Sequence, residues 1–361
     1  MASSASALNR TFLLARQPPG QRLLFVSLAL AALLVATAII AVGSGSARIA
    51  YGDVVSILLH PLGIPLNPDI APSQVIIVHQ VRLPRIAAGM LVGAALAVSG
   101  AVMQGVFRNP LADPGILGVS AGGSFGAVLA FTSGLALAGL WVVPLFAFAG
   151  GLAAALVVYL LALEGGRANV MSLLLAGIAL NAFLSALISL QVLLSNDFTQ
   201  TQTILQWLIG GLAGLGWRHV YVIAPPIVVC TVALHRYSRD LNLFLLGEET
   251  AQGLGTNVSR TRFLLLALTA LLTSVAVSMV GPVGFVGLVV PHVLRLVIGP
   301  DYRVLLPASL LGGAAFLALA DTAARALLLN QELPVGVITG AAGGPFFLYL
   351  LWRYRRQARL L

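Results

Sequence analysis

The residue types that carry chemistry in proteins are scarce in this chain of 361 residues. All 20 basic residues are arginine, so no lysine is present to bind nucleotide phosphates or to form a Schiff base with a carbonyl substrate. An enzyme would need a nucleophile beside a base, or a metal site. Five histidines and eleven carboxylates occur, yet no histidine shares a predicted helical face with a carboxylate. We therefore predict no catalytic residue and no ATP binding in this chain.

Metal binding is not predicted either. Four of the five histidines fall in loops or at helix ends without the spacing of metal ligands: His60, His79, His219 and His235. The fifth, His292, follows a proline inside an apolar stretch, and imidazole is a common ligand of haem iron. The lone cysteine, Cys230, cannot form a disulfide within the chain and is predicted to be a small buried residue. We expect no metal ligand and no cofactor bound by this chain.

The rest of the composition is typical of a membrane protein. Hydrophobic residues make up 59% of the chain and charged residues 9%. A helix needs roughly 20 apolar residues to cross a bilayer core about 30 Å thick, and only helices or closed barrels satisfy their backbone hydrogen bonds there. We predict an all-α, polytopic membrane protein with about ten transmembrane helices and no large soluble domain. The ten apolar stretches are 23–43, 86–106, 115–138, 141–163, 170–194, 219–235, 262–281, 283–298, 304–328 and 335–352.

Two stretches depart from this pattern. Residues 283–298 are few and rich in glycine, which predicts a helix that crosses only part of the bilayer. Residues 204–216 include four glycines, and so short an apolar stretch predicts an interfacial or re-entrant segment rather than a full crossing.

The arginines predict the orientation of the helices. With the N-terminus in the cytoplasm, 15 of the 20 arginines fall in cytoplasmic loops and tails, as the positive-inside rule requires. An even number of crossings then returns the C-terminus to the cytoplasm. We predict a cytoplasmic tail at 1–22, a transmembrane domain at 23–352 and a basic cytoplasmic tail at 353–361. The arginines on the outer side are Arg48, Arg82, Arg85, Arg218 and Arg325.

The segment Arg82-Leu83-Pro84-Arg85 opens the second helix on the outer side. Proline suits the first turn, where no backbone donor is needed, and residues three apart lie on neighbouring positions of a helix. The two arginines either present one basic patch to a partner or anchor the helix by reaching to the lipid headgroups. Their spacing leaves both interpretations open.

Two segments on the predicted cytoplasmic side are polar enough to act outside the bilayer. Residues 108–115 contain two prolines and an asparagine, which indicates either a rigid chain reversal or part of an inner constriction. The insert at 237–262 contains acidic residues that lead into a short helical pattern ended by glycine. Such an element could occupy a groove in a soluble partner, or it could be a plain connecting loop.

Taken together, these segments resemble one protein family over about residues 25–355, in the same order along the chain. The chain resembles the permease subunits of type II ABC importers for ferric siderophores, haem and vitamin B12. One departure is at 168–171, where the residues are bulkier than the small polar ones of some relatives. The segments that carry the resemblance are RLPR at 82–85, 92–97, RNPLADPG at 108–115, LGEE at 246–249, 284–292, 320–325, 332–336 and 344–347.

The resemblance implies an assembly in the bacterial inner membrane. It implies a homodimer of ten-helix subunits, two cytoplasmic ATPase subunits that hold ATP and magnesium, and a periplasmic binding protein that delivers the cargo. ATP hydrolysis then belongs to the partner subunits, and this chain is a transport subunit rather than an enzyme. The expected cargo is an iron chelate, with haem placed before a ferric siderophore and cobalamin third.

The resemblance also assigns roles to individual residues. The Pro-His pair at His292 occurs in the family whatever the cargo, so this histidine is interpreted as structural. The residues expected to dock the binding protein are Arg82, Arg85 and Arg325. The residues expected to couple the chain to the ATPase are Gly247, Glu248, Glu249, Ala251, Gly253 and Gly255. The residues expected to form the cytoplasmic gate are Asn109 and Leu111.

An ion-coupled secondary transporter is the main alternative. Such a protein would normally carry ionisable residues near the middle of the membrane. No predicted helix has a carboxylate near its centre, and Asp321 lies towards the outer end of its helix, four residues before Arg325. The charge pattern therefore favours an importer driven by ATP on another subunit.

Overall fold

The computed structural model describes residues 19–45, 49–63, 67, 69–195, 197–327 and 332–358. Arg48, most of the predicted N-terminal tail and the last three residues of the predicted C-terminal tail lie outside these ranges. Within them, the described chain forms fifteen α-helices and one short antiparallel hairpin. The helices are α1 Pro19–Gly43, α2 Tyr51–Leu59, α3 Pro72–Ile76, α4 Leu83–Val106, α5 Val119–Thr132, α6 Val142–Leu161, α7 Val170–Leu194, α8 Phe198–Ile209, α9 Trp217–Arg236, α10 Ser238–Leu245, α11 Glu248–Gly253, α12 Val258–Val280, α13 Val286–Ile298, α14 Tyr302–Leu327 and α15 Val335–Ala358. The hairpin pairs β1 Leu163–Glu164 with β2 Arg167–Ala168.

The all-α, polytopic fold class is confirmed. Each of the ten predicted apolar stretches contains a helix, and among the described residues seven helical segments are long and apolar enough to cross a membrane. One of these runs without a break from Pro72 to Val106, because a π-helical segment, Ile77–Arg82, joins α3 to α4. The apolar helices Val119–Thr132, Val286–Ile298 and Val335–Tyr349 are shorter. Ten full crossings and cytoplasmic termini stay predictions.

Two predicted boundaries differ from the structure. The stretch at 115–138 is broken, because Gly118 has a positive φ of 76° between a 3-10 turn and the start of α5. Of the predicted interfacial segment at 204–216, only residues 204–209 are helical, and they form the end of helix α8, which starts at Phe198 and ends before Gly210. Its start is polar: the Asp197 carboxylate accepts hydrogen bonds from the Thr199 and Gln200 backbone N–H groups, a typical N-cap. A search for apolar residues misses such a helix start.

Helix α4 is the centre of the bundle, and 20 of its residues are buried. Glycines let its neighbours approach closely. A methyl group at Gly93 would overlap the Gly313 carbonyl of α14, and one at Gly100 would overlap the Gly287 carbonyl of α13. Small residues at such contacts bring backbones together where lipid supplies no hydrophobic driving force.

The loops gather at two ends of the bundle, as the predicted topology requires. At one end, which we name the arginine-rich end, the insert predicted at 237–262 contacts two other loops. Asn242 donates to Asp301 at 2.7 Å, and Arg262 at the start of α12 donates to the Ala168 carbonyl at 2.7 Å. At the opposite end, Trp217 donates to the His79 carbonyl at 2.8 Å. Loops predicted to share a side of the membrane therefore lie together.

Candidate functional site

The three outer arginines with predicted docking roles form one cluster at the opposite end. Arg85 lies near the start of α4, Arg82 precedes that helix, and Arg325 lies near the end of α14. Two of these positions come from the RLPR turn, and the third is more than 200 residues later in the chain. The sequence therefore named a set of side chains that the fold does bring together.

Acidic residues of the same chain pair with this cluster. The Arg85 guanidinium donates through Nη2 and Nε to the Asp321 carboxylate, at 2.8 Å and 3.1 Å, and through Nη1 to Glu332 at 2.7 Å. Asp321 also accepts from Arg325 Nε at 3.1 Å. One carboxylate thus bridges two guanidinium groups, and planar fork-like pairing of this kind is the strong form of an arginine–carboxylate contact.

Backbone carbonyls at the end of α1 supply further acceptors. Arg325 donates to the Ser44 carbonyl at 2.8 Å and to the Ala41 carbonyl at 3.2 Å. Arg82 donates to the Val42 carbonyl. The Ala41 and Val42 carbonyls are among those that a helix leaves unpaired at its C-terminus, where cations are favoured by the helix dipole. The cluster therefore fastens the end of α1 to α4 and α14.

The side chains of this cluster and their acidic partners differ in solvent exposure. Arg82, Arg85 and Arg325 are only 4%, 8% and 8% exposed. The Asp321 side chain is 3% exposed, whereas that of Glu332 is 51% exposed. The three arginines are thus packed inside the chain, and Glu332 is the partner that water and other proteins can reach. Sequence reasoning noted Asp321 beside Arg325 but did not identify Glu332 as a partner.

The predicted coupling residues lie at the arginine-rich end. Helix α11 starts at Glu248 after Gly247, whose φ of 108° and ψ of 154° suit only glycine. Ala251 is buried, whereas Glu249 and Gly253 are exposed. Gly255 also has a positive φ, of 90°. The short helix therefore has one anchored face and one free face.

Glu248 fixes α11 to the bundle. Its carboxylate forms an ion pair with Arg262, and it lies 4.0 Å from the Arg108 guanidinium. Arg262 is buried and also donates to the Ala168 carbonyl of β2 at 2.7 Å. A hydrogen bond within the insert links its two ends, since the Thr256 hydroxyl donates to Asp240 at 3.0 Å. These contacts connect α11, α12, the hairpin and the loop after α4.

The predicted gate residues belong to that loop. The Asn109 side chain accepts a hydrogen bond from the Leu111 backbone N–H at 2.9 Å, which holds a tight turn. Arg108, directly before it, has a φ of 48° although it is not glycine. Leu111 is exposed. The segment is therefore a tight turn with an exposed apolar side chain, and its role as a plain reversal or as a gate stays a prediction.

The bulkier residues at 168–171 run from the end of the hairpin, where Ala168 is the last residue of β2, into the start of α7. The Glu164 carboxylate accepts from Asn169 Nδ2 at 3.0 Å and from the Ser172 hydroxyl. The hydrogen bond from Ser172, and to a smaller extent the one from Asn169, lowers the pKa of Glu164. Asn169 in turn caps α7, since its Oδ1 accepts from the Met171 N–H at 2.8 Å. The segment thus has a defined capping structure.

The five histidines lie apart from one another in the described part of the chain. Among the described residues, no group of three or more His, Cys, Asp and Glu side chains could hold a metal ion. His292 is buried and its ring lies 6.3 Å from that of Phe346. Cys230 is a free, buried thiol.

Comparison with known proteins identifies the family of this chain. The profile of the FecCD transport family matches residues 33–353. The cobalamin import system permease BtuC of Halobacterium salinarum is 48% identical over 80% of this chain and 76% of its own length. The hemin transport system permease HmuU of Yersinia pestis is 43% identical over 77% of this chain and 83% of its own length.

A solved structure shows the same fold. An inward-facing ABC transporter of the metal-chelate type superposes with a TM-score of 0.80, at 33% identity, over 91% of this chain and 99% of that one. The family profile and these identities cover most of both chains. The protein is therefore a member of the FecCD transport family, a multi-pass membrane permease subunit of a type II ABC importer.

Proposed function

We propose that this permease carries a metal tetrapyrrole into the cell, which is the chemical class shared by haem and cobalamin. The support is the pair of relatives, one a cobalamin permease at 48% identity and one a hemin permease at 43%. Sequence reasoning placed haem first and cobalamin third. The identities are too close to rank these two cargoes, so the proposal names the class, and a ferric siderophore becomes the competing cargo.

The working unit in this proposal is a homodimer with two ATPase subunits and a periplasmic binding protein. ATP and magnesium bind to the ATPase subunits, and this chain holds no cofactor. The observation that carries the proposal is the specialisation of the two ends of the bundle. One end displays a short helix, α11, with a free face, and the other holds an arginine cluster with one exposed acidic partner.

Contact with the ATPase is proposed for the free face of α11. Glu249 and Gly253 are exposed there, while Ala251 and the ion pair of Glu248 with Arg262 hold the other face. A force on α11 reaches the loop after α4 through Glu248, because that carboxylate lies 4.0 Å from Arg108. Arg108 is adjacent to Asn109, so the same contact reaches the proposed gate at Asn109 and Leu111.

Docking of the binding protein is proposed for Arg82, Arg85 and Arg325. All three have partners within the chain, so a docking carboxylate has to replace one of these partners. Glu332 is the candidate for replacement at Arg85, because it is half exposed whereas Asp321 is buried. Exchange of one carboxylate for another avoids leaving a buried charge unpaired, which is costly.

The test is reconstituted transport. The full chain, its ATPase subunit and its binding protein are incorporated in proteoliposomes, and ATP-dependent uptake is measured for haem, for cobalamin and for a ferric siderophore. Uptake of haem or cobalamin that the other tetrapyrrole inhibits, and the siderophore does not, is the expected result. Uptake of the siderophore alone would refute the cargo class. Uptake driven by an ion gradient without ATP would favour the secondary transporter.

A further inference from the structure

A cleft at the arginine-rich end has no ligand assigned to it in the proposed function, although one of its lining residues, Arg108, also lies between Glu248 and the proposed gate. It has a volume of about 350 Å³ and lies between the end of α4, the helix α13 and the start of α14. Its lining includes two guanidinium groups, and among the described residues no carboxylate lines it. The polar side chains that line it are Gln104, Arg108, His292, Arg295 and Tyr302.

Two buried side chains in this cleft have polar atoms without a hydrogen-bond partner among the described residues. His292 is 3% exposed, and within the described part of the chain neither of its ring nitrogens has a partner. Gln104 is 2% exposed, and its Nε2 donates to the Leu288 carbonyl at 3.2 Å. Because the amide nitrogen makes that bond, the amide oxygen Oε1 points away from it. Among the described residues, no donor forms a hydrogen bond with Oε1. Buried polar groups of this kind are normally satisfied by water or by a ligand.

The charges of the cleft select the ligand. Arg295 donates to the Tyr302 hydroxyl at 3.4 Å, a long bond that leaves most of the guanidinium donors for something else. Arg108 is 4.0 Å from Glu248, whose carboxylate pairs more closely with Arg262. Two cations without a lining carboxylate attract an anion. Guanidinium groups match the geometry of phosphate oxygens in particular.

We propose that this cleft binds a phosphate group that also carries a hydroxyl. The phosphate oxygens accept hydrogen bonds from Arg108, Arg295 and His292, and the hydroxyl donates to Gln104 Oε1. Two sources offer this chemistry, the headgroup of phosphatidylglycerol in the adjoining leaflet and free inorganic phosphate.

The outer face of α13 favours the lipid as the source. Val293, Leu296 and Val297 on that helix are exposed apolar residues, and Leu296 also lines the cleft. Acyl chains could lie along this face while the headgroup enters the cleft. The inference is independent of the cargo, since none of the residues that it uses has been given a role in cargo binding.

The experiment measures ligand binding to the purified full chain after removal of its lipid. Phosphatidylglycerol, phosphatidylcholine and inorganic phosphate are each titrated, and binding is followed by native mass spectrometry and by the melting temperature. We expect phosphatidylglycerol to bind at least tenfold more tightly than phosphatidylcholine, and inorganic phosphate to compete with it. Binding of phosphate without preference for phosphatidylglycerol would assign the cleft to the free anion.

Variants connect the binding to this cleft. Arg295→Gln should weaken binding at least tenfold, and Arg295→Lys should retain part of it. Arg303→Gln is the matched control, because Arg303 is an exposed arginine at the same end that does not line the cleft. If Arg295→Gln fails to fold, Gln104→Glu, which places a negative charge in the cleft, should abolish binding. Equal affinity in wild type, Arg295→Gln and Gln104→Glu would overturn the proposal, as would an equal loss in Arg303→Gln.

Discussion

Arg85 and Asp321 are 236 residues apart in the sequence and form a buried ion pair with an Nη2–Oδ1 distance of 2.8 Å. The pair joins α4, the most buried helix, to α14. Asp321 pairs with two arginines, so its removal would leave Arg325 without its carboxylate partner and Arg85 with the half-exposed Glu332 alone. In a site from which water is excluded, such a loss costs more than the pair itself contributes.

Stability should therefore depend strongly on Asp321 and weakly on Glu332. Asp321→Asn is expected to destabilise the protein by about 3–5 kcal/mol, the usual cost of breaking a buried pair. Glu332→Gln removes a half-exposed partner and should cost about 0–1 kcal/mol. The measurement is thermal unfolding in detergent, with the exposed Asp69→Asn as the control. Equal melting temperatures for Asp321→Asn and Asp69→Asn would contradict the structural role.

Docking of the binding protein should respond in opposite directions to two changes at one site. Glu332→Gln removes the competing carboxylate, so it should tighten the complex with the binding protein. Arg85→Ala removes the docking cation and should weaken that complex by about 2–5 kcal/mol. The dissociation constant is measured at several salt concentrations, because partly exposed pairs are screened over about 8 Å at physiological ionic strength.

Arg218 provides the control for this experiment, because it is another arginine on the predicted outer side that lies outside the cluster. Arg218→Ala should leave the dissociation constant unchanged. Unaltered, salt-independent docking after replacement of Arg82, Arg85 and Arg325 together would leave these residues as structural anchors only.

Coupling of ATP hydrolysis to transport should be sensitive to substitutions on the solvent-exposed face of α11. Adding a Cβ at Gly253 meets no other atom within 4 Å, and the residue is exposed. Gly253→Trp should therefore leave the subunit folded while it blocks contact with the ATPase. The expected result is ATP hydrolysis without transport, or loss of the complex, in proteoliposomes. Normal transport per ATP would exclude this face from the contact.

A substitution at Gly247 distinguishes the effect of backbone strain in the insert from the effect of a blocked contact with the ATPase. Its backbone lies in a region nearly exclusive to glycine, so Gly247→Ala should cost about 1–3 kcal/mol in the insert itself. Proteolysis of the 237–262 insert is expected to speed up in this variant and not in Gly253→Trp. If both variants are cleaved alike, the loss of coupling in Gly253→Trp has to be attributed to unfolding of the insert.

ATP hydrolysis should appear only when the ATPase subunit is added. The chain lacks lysine altogether, and the phosphate loops of common ATPases depend on one. The measurement is nucleotide binding and turnover by the purified chain alone, and then with its partner. Saturable ATP binding to the chain alone, in a form that can be competed by ADP, would contradict the prediction.

The sequence by itself determined the fold class and the location of nearly every long helix. A largely apolar stretch as long as 170–194 predicts a spanning helix, since in a bilayer only helices or closed barrels satisfy the backbone hydrogen bonds, and a barrel strand needs only about ten residues. The arginine distribution predicted which loops would lie together, and the contacts of Asn242 with Asp301 and of Arg262 with Ala168 agree with it. Local composition was sufficient because these properties depend on burial in lipid and on charge.

The tertiary structure decided which polar groups meet. The exposed partner of Arg85 is Glu332, and His292 shares a cleft with Gln104, which is 188 residues earlier in the chain. Neither pairing has a signal in the local sequence, because it depends on how α4, α13 and α14 cross. Those crossings are set by glycine contacts such as Gly93 with Gly313. A glycine allows any helix to approach closely, so its presence in the sequence does not identify the neighbouring helix. Only the packed structure does.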